Sequence, residues 1–592
     1  MQLMTWTVQE MALTVLKLLI VGISTVGIWE IVHHYFKKVD ISFIPAISIA
    51  IETTFLFFAG ILNCLPLVSW SIHAVGLLSV GYSLFRERNL QILKRWTRMP
   101  ILFLGIVTLL SWFYLQGKIF THYDNFTHWG LVARTLLEEN RFPTFRDELI
   151  LFPEYPLGSS VFVYFIASFV GKAEPVQMIA QAYVIFANII PLFSVQKKQK
   201  SIPVLIAVSV FTYFVLSYNN SIMDLLVDTL ISIVPMTCVL YVTVYCDREK
   251  SAEAMLPVAF MLCQTMQIKN SGIFYVLMVA VMLLMNRPKG KFSPVRAACI
   301  LFPFVTFYLW HQHCLYVFST GGISYHAMTL KNYIHIASGK TLGLMYYIFI
   351  QMIKYVFTWK DTYLTCGIIA LVAFFAVREK KENEISLKTY FPAMAMIMCF
   401  CFQIGLYGMY LFSMPGPEAV EIAQIERYER GIILSMLYLV MVPGIEMMSD
   451  MRIQKKKQII YAAATVCILL LNLTLTTGKP VLSLSNLDSW YQPDERIWIE
   501  SIKKENSIPE EESYTILVPE GSIGGYSYYL GKYIFRTTDV VEKTMTSEEE
   551  LSDIYTEYLL IYDDSKPYDE WLKNYEESHL DLPWTVISLQ RE

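Results

Sequence analysis

Long apolar runs separated by short polar loops cover most of the first 476 residues. Most of the runs approach the roughly 17–25 residues that a helix needs to cross a bilayer at about 1.5 Å per residue. The pattern therefore predicts an all-α membrane body with about fourteen transmembrane helices. The predicted spans are 11–35, 43–63, 67–85, 100–116, 176–195, 202–218, 229–246, 254–268, 272–286, 297–317, 362–377, 389–412, 431–447 and 458–476.

Two further apolar stretches do not fit the alternation of loops between the two sides of a membrane. Residues 158–171 form a run too short to cross a bilayer, so we expect a juxtamembrane helix lying on the outer surface. The stretch 343–358 carries Lys354 in its interior, and we interpret it as interfacial for that reason.

Lysine and arginine concentrate in short loops such as 86–98 and 287–296. Such loops mark the cytoplasmic side of a membrane protein. The resulting orientation places both termini and the loops 117–157, 218–228 and 413–430 on the extracytoplasmic side of a multi-pass cell-membrane protein.

After residue 476 the pattern changes to alternating strand and helix signals. Tyr514–Pro519, Tyr558–Tyr562 and Trp584–Leu589 are rich in β-branched and aromatic residues, which predicts strands. Asp494–Asn506 and Ser547–Tyr555 have helical character with acidic first turns. We therefore predict a small extracytoplasmic α/β domain at the C-terminus.

Composition supports this division and excludes several classes of protein. The 592 residues are 55% hydrophobic and 17% charged, whereas soluble proteins carry about 25% charged residues. Residues 477–592 contain 10 Lys+Arg against 24 Asp+Glu, which leaves 37 against 27 for residues 1–476. The apolar content excludes a soluble or disordered chain, and a net charge of -4 without a basic domain excludes nucleic-acid binding. The predicted domains are N-terminal transmembrane helices (1–99), a membrane core (100–476) and an acidic domain (477–592).

Candidate chemistry begins in the loop 117–157. Tyr123, Phe126 and Trp129 surround Asp124, and partial desolvation by these rings would raise the pKa of its carboxyl toward that of a general base. Alternatively, the loop is interfacial and its aromatic residues anchor it at headgroup depth.

Two acidic residues and a lysine occur at other predicted outer helix ends. Asp224 and Asp228 are four residues apart, so one helix face could present both to a divalent cation such as Mg²⁺ or Mn²⁺, or to an acceptor amine. Alternatively, they mark a polar helix start. Lys269 opens a turn before Gly272, and its alternative interpretation is a lysine that reaches to the interface.

Arg427 and Arg430 lie at the outer start of a predicted span, where a helix dipole disfavours cations. A bound phosphate would favour them through bidentate hydrogen bonds. Alternatively, they pair with Glu426 or Glu429.

Taken together, these segments resemble the GT-C membrane glycosyltransferases of the protein O-mannosyltransferase and aminoarabinose transferase type (glycosyltransferase family 39-like). In that family an Asp-Glu pair at the start of the first outer loop is catalytic, a lysine before glycine often meets phosphate, and an Arg-Tyr occurs near the later span. This chain has Asn125 in the second position of the pair. The resemblance covers about residues 100–290 and, more weakly, 420–445. It rests on Asp124-Asn125, the Arg134 helix ending at 138–143, Tyr155-Pro156-Leu157 and 171–174.

The resemblance implies a GT-C-like core that transfers a sugar from a polyprenyl-phosphate carrier in the membrane lipid. The acceptor would be a cell-envelope glycan, lipid or protein, and the transfer would invert the anomeric carbon. Asp124 would act as general base beside Asn125, with Asp224 and Asp228 as candidate metal ligands. The predicted substrate-binding residues are His128, Arg134, Tyr155, Lys269, Arg427 and Arg430.

Two other classes of function remain open. A polysaccharide polymerase or ligase would share lipid-linked substrates, but such proteins usually carry their large loop late in the chain. A non-enzymatic envelope glycan or solute transporter would place ionisable residues inside the spans. Most spans here lack them, and Glu30, His33, Glu52 and His73 are the exceptions.

Overall fold

The computed structural model describes the chain in thirteen stretches. They are 8–87, 91–196, 201–218, 222–246, 252–285, 294–318, 330–378, 387–449, 455–477, 491–518, 524–544, 554–561 and 585–588.

Up to residue 477 the described chain is helical. Its α-helices are α1 (Val8–Tyr35), α2 (Ile44–Ile61), α3 (Leu65–Glu87), α4 (Gln91–Trp96), α5 (Met99–Leu115), α6 (Tyr123–Thr127), α7 (Trp129–Glu139), α8 (Gly158–Val170), α9 (Glu174–Ile189), α10 (Ile202–Tyr218), α11 (Asp228–Tyr245), α12 (Leu256–Ile268), α13 (Gly272–Met285), α14 (Pro294–Val317), α15 (Leu330–Ser338), α16 (Leu342–Thr358), α17 (Lys360–Arg378), α18 (Leu387–Phe412), α19 (Gly416–Val420), α20 (Ile425–Ser449) and α21 (Lys455–Thr477). Short 3₁₀ turns occupy Ile41–Phe43, Ile190–Val195 and Ala252–Met255.

The local sequence explains where several of these helices begin and end. Pro45, Pro100, Pro175 and Pro257 lie in the first turns of α2, α5, α9 and α12, where the missing N–H costs no helical hydrogen bond. Asn140 ends α7 in the left-handed conformation at φ 54°, a conformation that asparagine tolerates at a helix end.

Within the described stretches, eight helices are long and apolar enough to cross a membrane, or nine if the pair α15 and α16, bent by 97°, forms one broken span. The all-α membrane architecture predicted from the sequence agrees with this. Five further apolar helices, α5, α8, α10, α12 and α13, are shorter, with 13 to 17 residues. The count of fourteen spans stays a prediction.

The stretch 158–171 forms a helix as short as predicted, but its surroundings differ from the prediction. All residues of α8 except Ser168 and Phe169 are buried, packed among α2, α7 and α9. The prediction that this helix lies on the outer surface rested on its length alone. In the structure the apolar faces of α8 contact other helices of the protein instead.

Every residue of helix α20 from Gly431 to Ser449 is buried, and α10, α11, α17, α18 and α21 pack against this helix. Ser435 Oγ donates to the Ser232 carbonyl oxygen at 2.9 Å, and Tyr438 Oη donates to the Asn188 carbonyl oxygen at 3.0 Å. These bonds fix α20 against α11 and α9, and thereby fix the position of its first turn.

The C-terminal part contains two helices and a four-stranded parallel sheet. The elements are α22 (Asp494–Glu505), β1 (Tyr514–Leu517), α23 (Tyr526–Phe535), β2 (Val540–Lys543), β3 (Tyr558–Ile561) and β4 (Thr585–Ser588). The strand order is β2-β1-β3-β4. We call these elements together the C-terminal unit.

The predicted strands β1, β3 and β4 and the helix α22 are confirmed, whereas α23 and β2 were not predicted. The predicted helix Ser547–Tyr555 falls mainly on 545–553, outside the described residues, and Ile554 and Tyr555 are not helical. That this unit is an independent extracytoplasmic domain stays a prediction.

The C-terminal unit contacts the segment that carries Asp124. Arg496 donates to both carboxylate oxygens of Glu174, at 2.7 and 2.9 Å, and to the Phe120 carbonyl oxygen at 2.7 Å. Tyr526 Oη donates to the Thr121 carbonyl oxygen at 2.7 Å. The unit therefore lies at the same end of the bundle as the candidate chemistry.

Candidate functional site

Four charged side chains from distant parts of the sequence meet at one end of the helical bundle. Arg427 Nε donates to Asp228 Oδ2 at 2.6 Å, and Arg427 Nη1 donates directly to Asp124 Oδ2. Lys269 Nζ donates to Asp228 Oδ1 at 3.0 Å. We call Asp124, Asp228, Lys269 and Arg427 the charged cluster, and its formal charge is zero.

Asp124 is placed by a short helix with an unusual cap. The N-terminus of α6 is capped by His122, whose Nδ1 accepts from the Asp124 N–H at 3.1 Å. Asn125 is fully buried, donates to the His122 carbonyl oxygen at 3.2 Å and accepts from the Leu225 N–H at 3.0 Å. These two bonds join the loop of α6 to the segment before α11.

The environment of Asn125 changes its predicted role. Its side-chain amide binds backbone on both sides and has no exposed surface. We therefore replace the predicted catalytic role of Asn125 with a structural one, which is to hold Asp124 near Asp228.

Asp224 and Asp228 do not share a helix face, contrary to the prediction. Helix α11 begins at Asp228, and Asp224 lies in the preceding non-helical segment. The Asp224 Oδ1 accepts from the Leu226 N–H at 2.9 Å, a local side-chain bond that competes with helix formation. The prediction assumed that the helix extended four residues further toward the N-terminus.

Lys269 reaches the cluster from the turn between α12 and α13. The backbone leaves the helix at Lys269, which is extended at φ -158°, and the Gly272 N–H donates to the Lys269 carbonyl oxygen at 2.8 Å. A Cβ atom on Gly272 would lie only 2.3 Å from the Thr265 carbonyl oxygen. Glycine is therefore required for this turn to close as it does.

Arg427 lies in the first turn of α20, where we expected that something other than the helix dipole must favour it. In this structure the carboxylates of Asp124 and Asp228 stabilise Arg427 there, whereas the predicted partners were Glu426 and Glu429. Arg430 does pair with Glu426, as the alternative for that residue proposed.

A cavity of about 610 Å³ opens beside the cluster. Two of the cluster side chains, Asp228 and Arg427, line it directly, and Asp124 and Lys269 contact these two. The cluster keeps some access to solvent, since the Asp124 and Arg427 side chains are 16% and 18% exposed. Further lining residues include the polar Thr121, His122, Asp224, Glu421, Gln424, Glu426 and Arg430 and the apolar Met223, Leu226, Ile422, Ala423 and Ile425.

The lining of this cavity is mixed, since apolar side chains such as Met223, Leu226 and Ile425 lie beside the polar ones, and its ionisable groups are more often acidic than basic. Carboxylates and an amide accept and donate the directional hydrogen bonds that sugar hydroxyls require. An anion would find attractive partners only where Arg427 and Arg430 reach the cavity. The lining therefore fits a polyhydroxylated ligand whose negative group is confined to one side.

Burial sets the protonation of three groups near the cluster. It raises the pKa of Asp224 to about 8, so this carboxyl is largely protonated at neutral pH. Burial lowers the pKa of His122, which agrees with Nδ1 accepting a hydrogen bond. Burial also lowers the pKa of His128 to about 3, so that this ring is neutral.

The other predicted substrate-binding residues lie outside the cavity. His128 is buried behind α6, with its ring centroid 4.4 Å from that of Trp129 and 5.2 Å from that of Tyr155. Arg134 donates to the Tyr533 carbonyl oxygen at 2.7 Å and does not reach the cluster. Helix α7 directs the Arg134 side chain to the C-terminal unit, so its predicted role in substrate binding stays a prediction.

The residues present do not fit a divalent cation. Both carboxylate oxygens of Asp228 already contact cations, and a metal there would face Lys269 and Arg427. Across the described stretches, no group of three or more His, Cys, Asp or Glu side chains could hold a metal ion. We therefore assign no step to a metal.

Two residues of the site were not predicted from the sequence. His122 caps α6, and Gln424, which lines the cavity, donates from Nε2 to Tyr123 Oη at 3.4 Å. The histidine directly before an acidic first helical turn was a usable signal, whereas the loop containing Gln424 gave none.

Comparison of the chain with protein-family models, with curated proteins and with solved structures finds no match. The arguments for function therefore come from the geometry of the site.

Proposed function

We propose that this protein is an integral-membrane glycosyltransferase that moves a sugar from a polyprenyl-phosphate carrier to a cell-envelope acceptor. The observation that carries the proposal is the contact of Arg427 with both Asp124 and Asp228 beside a cavity of about 610 Å³, at one end of an apolar helical bundle. A carboxylate base next to a guanidinium is what transfer from a phosphate leaving group requires.

Asp124 is proposed as the general base. Its carboxylate would take the proton of an acceptor hydroxyl while the hydroxyl oxygen forms a bond to the anomeric carbon. The bond between that carbon and the phosphate oxygen breaks on the opposite face, and its electron pair leaves with the phosphate. The transfer would therefore invert the anomeric configuration.

Arg427 and Lys269 are proposed to receive the charge of the leaving phosphate. As the proton reaches Asp124 this carboxylate loses its charge, and at the same moment negative charge grows on the phosphate. Arg427 would then lose its ion pair with Asp124 and form one with the phosphate, while its hydrogen bond to Asp228 keeps the guanidinium in place. Such an interaction is stronger in the transition state than in the ground state, which is the condition for catalysis.

The proposed donor enters from the lipid, because its polyprenyl chain would remain among the apolar helices while the sugar occupies the cavity. In this proposal the cluster, the C-terminal unit and both termini lie on the extracytoplasmic side of about fourteen spans. The carboxyl groups and the Gln424 amide of the lining support a sugar, and the cationic side formed by Arg427 and Arg430 supports its phosphate.

The test is a comparison of envelope glycans and lipid-linked sugars between a wild-type strain and a strain that lacks the gene. We expect one envelope sugar to disappear and a polyprenyl-phosphate sugar to accumulate. An unchanged profile together with altered solute uptake would reject the proposal in favour of a transporter. Accumulation of a lipid-linked oligosaccharide would instead favour a polymerase or ligase.

A further inference from the structure

A second cavity, of about 460 Å³, lies where the C-terminal unit meets α7 and the start of α9. We call it the interface cavity. Its volume is within the roughly 300–1,000 Å³ of small-molecule sites. It is a separate space from the cavity beside the charged cluster, and the lining residues of the two are different.

The lining of the interface cavity is unusually basic for its surroundings. Its five cationic side chains are Arg134, Arg496, Lys503, Lys504 and Arg536. Four of them come from residues 477–592, a region with only 10 Lys+Arg against 24 Asp+Glu. Four of the ten basic residues of this acidic region therefore line a single cavity.

The acidic residues of the cavity are already neutralised. Glu174 and Glu500 both pair with Arg496, at 2.7 and 2.9 Å. Glu510 pairs with Lys503 at 2.6 Å and with Arg536 Nε at 3.2 Å. These pairs account for three cations and all three carboxylates that line the cavity.

Arg134 and Lys504 remain without a carboxylate partner in the part of the chain that the structure describes. Arg134 stacks on the Tyr533 ring at 4.4 Å and donates from Nη1 to the carbonyl oxygen of the same residue. The bond from Nη1 caps the C-terminal end of α23. The Nε and Nη2 atoms of Arg134 have no hydrogen-bond partner within the described residues. Lys504 is exposed at the cavity.

We infer that the interface cavity binds a phosphate group through Arg134 and Lys504. The planar guanidinium offers two parallel donors to neighbouring phosphate oxygens, and the lysine supplies a point charge for a third. Two kinds of ligand carry such a phosphate group, namely a phosphate-bearing envelope polymer and a lipid headgroup.

The cavity also lies close to the proposed base. The ring of Phe126, two residues after Asp124, is 5.1 Å from the Tyr533 ring and 5.8 Å from the Arg496 guanidinium. Helix α6 therefore contacts two lining residues of the interface cavity through Phe126 and carries Asp124 of the charged cluster. If the proposed glycosyl transfer is correct, this phosphate belongs to the acceptor, and that assignment rests on the proposed function.

Binding can be measured without turnover, so it is independent of the proposed reaction. Full-length protein in phosphatidylcholine nanodiscs is titrated with a short glycerol-phosphate oligomer and, separately, with a neutral glucose oligomer. We expect only the phosphate oligomer to bind, with a Kd that rises with salt. In the double variant Arg134→Gln/Lys504→Gln the Kd should rise on the order of tenfold or more.

The matched control is Lys532→Gln/Lys543→Gln, which removes the same charge from the C-terminal unit outside the cavity and should bind as the wild type does. Asp124→Asn should also retain binding, so that a failed glycosyl transfer leaves this result intact. Equal affinity of the two double variants, or no binding of the phosphate oligomer, would overturn the inference.

A second titration separates the two sources of phosphate. If phosphatidylglycerol in the nanodisc displaces the oligomer from the wild-type protein, the site takes a lipid headgroup. If binding persists, the site takes a phosphate-bearing polymer.

Discussion

Arg427 and Asp124 are 303 residues apart in the sequence and form a direct ion pair in the structure. Arg427 also binds Asp228, so that one guanidinium joins the first polar loop to the start of α11. The contact makes Arg427 both a structural link and, in the proposed reaction, the partner of the leaving phosphate. These two roles can be separated by mutation.

Arg427→Gln should destabilise the protein, because two partly buried carboxylates lose their shared cation. Breaking such a pair from one side costs about 3–5 kcal/mol. The double variant Asp124→Asn/Arg427→Gln should recover part of that loss, since Asp124 forms an ion pair with Arg427 and with no other cation among the described residues. Thermal unfolding in detergent checks both variants, and a double variant less stable than Arg427→Gln would contradict the assigned pairing.

Asn125→Asp introduces a carboxyl group at the position where the GT-C glycosyltransferases have the second acidic residue of their Asp-Glu pair. An ionised aspartate cannot donate to the His122 carbonyl oxygen, and its charge would be fully buried. We expect a loss of about 1–3 kcal/mol in stability and a lower transfer rate. Unfolding and transfer are measured together, and a stable, more active variant would restore the idea of a second catalytic acid.

Gly272→Ala should disturb Lys269 through sterics alone. The new Cβ would lie 2.3 Å from the Thr265 carbonyl oxygen, so the turn that carries Lys269 must move. We expect a cost of about 1–3 kcal/mol and a higher KM for the lipid-linked donor. Gly405→Ala is the control, because its added Cβ meets nothing within 4 Å other than its chain neighbours and the backbone of its own helix. Equal effects of the two substitutions would exclude a specific role for the turn.

Asp224 should make stability depend on pH. Burial raises its folded-state pKa to about 8, above an ordinary value of 3.8, so the folded state holds a proton that the unfolded state releases. The stabilising contribution is present below about pH 4 and is lost progressively as the pH rises toward 8. Asp224→Asn should flatten this dependence in unfolding measurements between pH 5 and about 8. An unchanged slope would show that Asp224 is ionised when folded.

The sequence predicted the long helices because a bilayer demands continuous apolar runs, and it predicted Asp124, Lys269 and Arg427 because charges at the ends of such runs are conspicuous. It could not predict that Arg427 contacts Asp124, since that depends on where the first turn of α20 lies relative to α6. Nor could it show that α8 is buried or that Arg134 faces the C-terminal unit. Both depend on tertiary contacts that leave no periodic signal.

The central claim is that Asp124 acts as the base, and Asp124→Asn tests it most directly. In a strain that lacks the gene, the wild-type protein and the control Asp539→Asn, an exposed aspartate of the C-terminal unit, should both restore the missing envelope sugar. Asp124→Asn, produced at the same level and folded, should restore less than about a hundredth of it, since general base catalysis contributes about 10²–10⁴ in rate. Full restoration by Asp124→Asn would contradict the account.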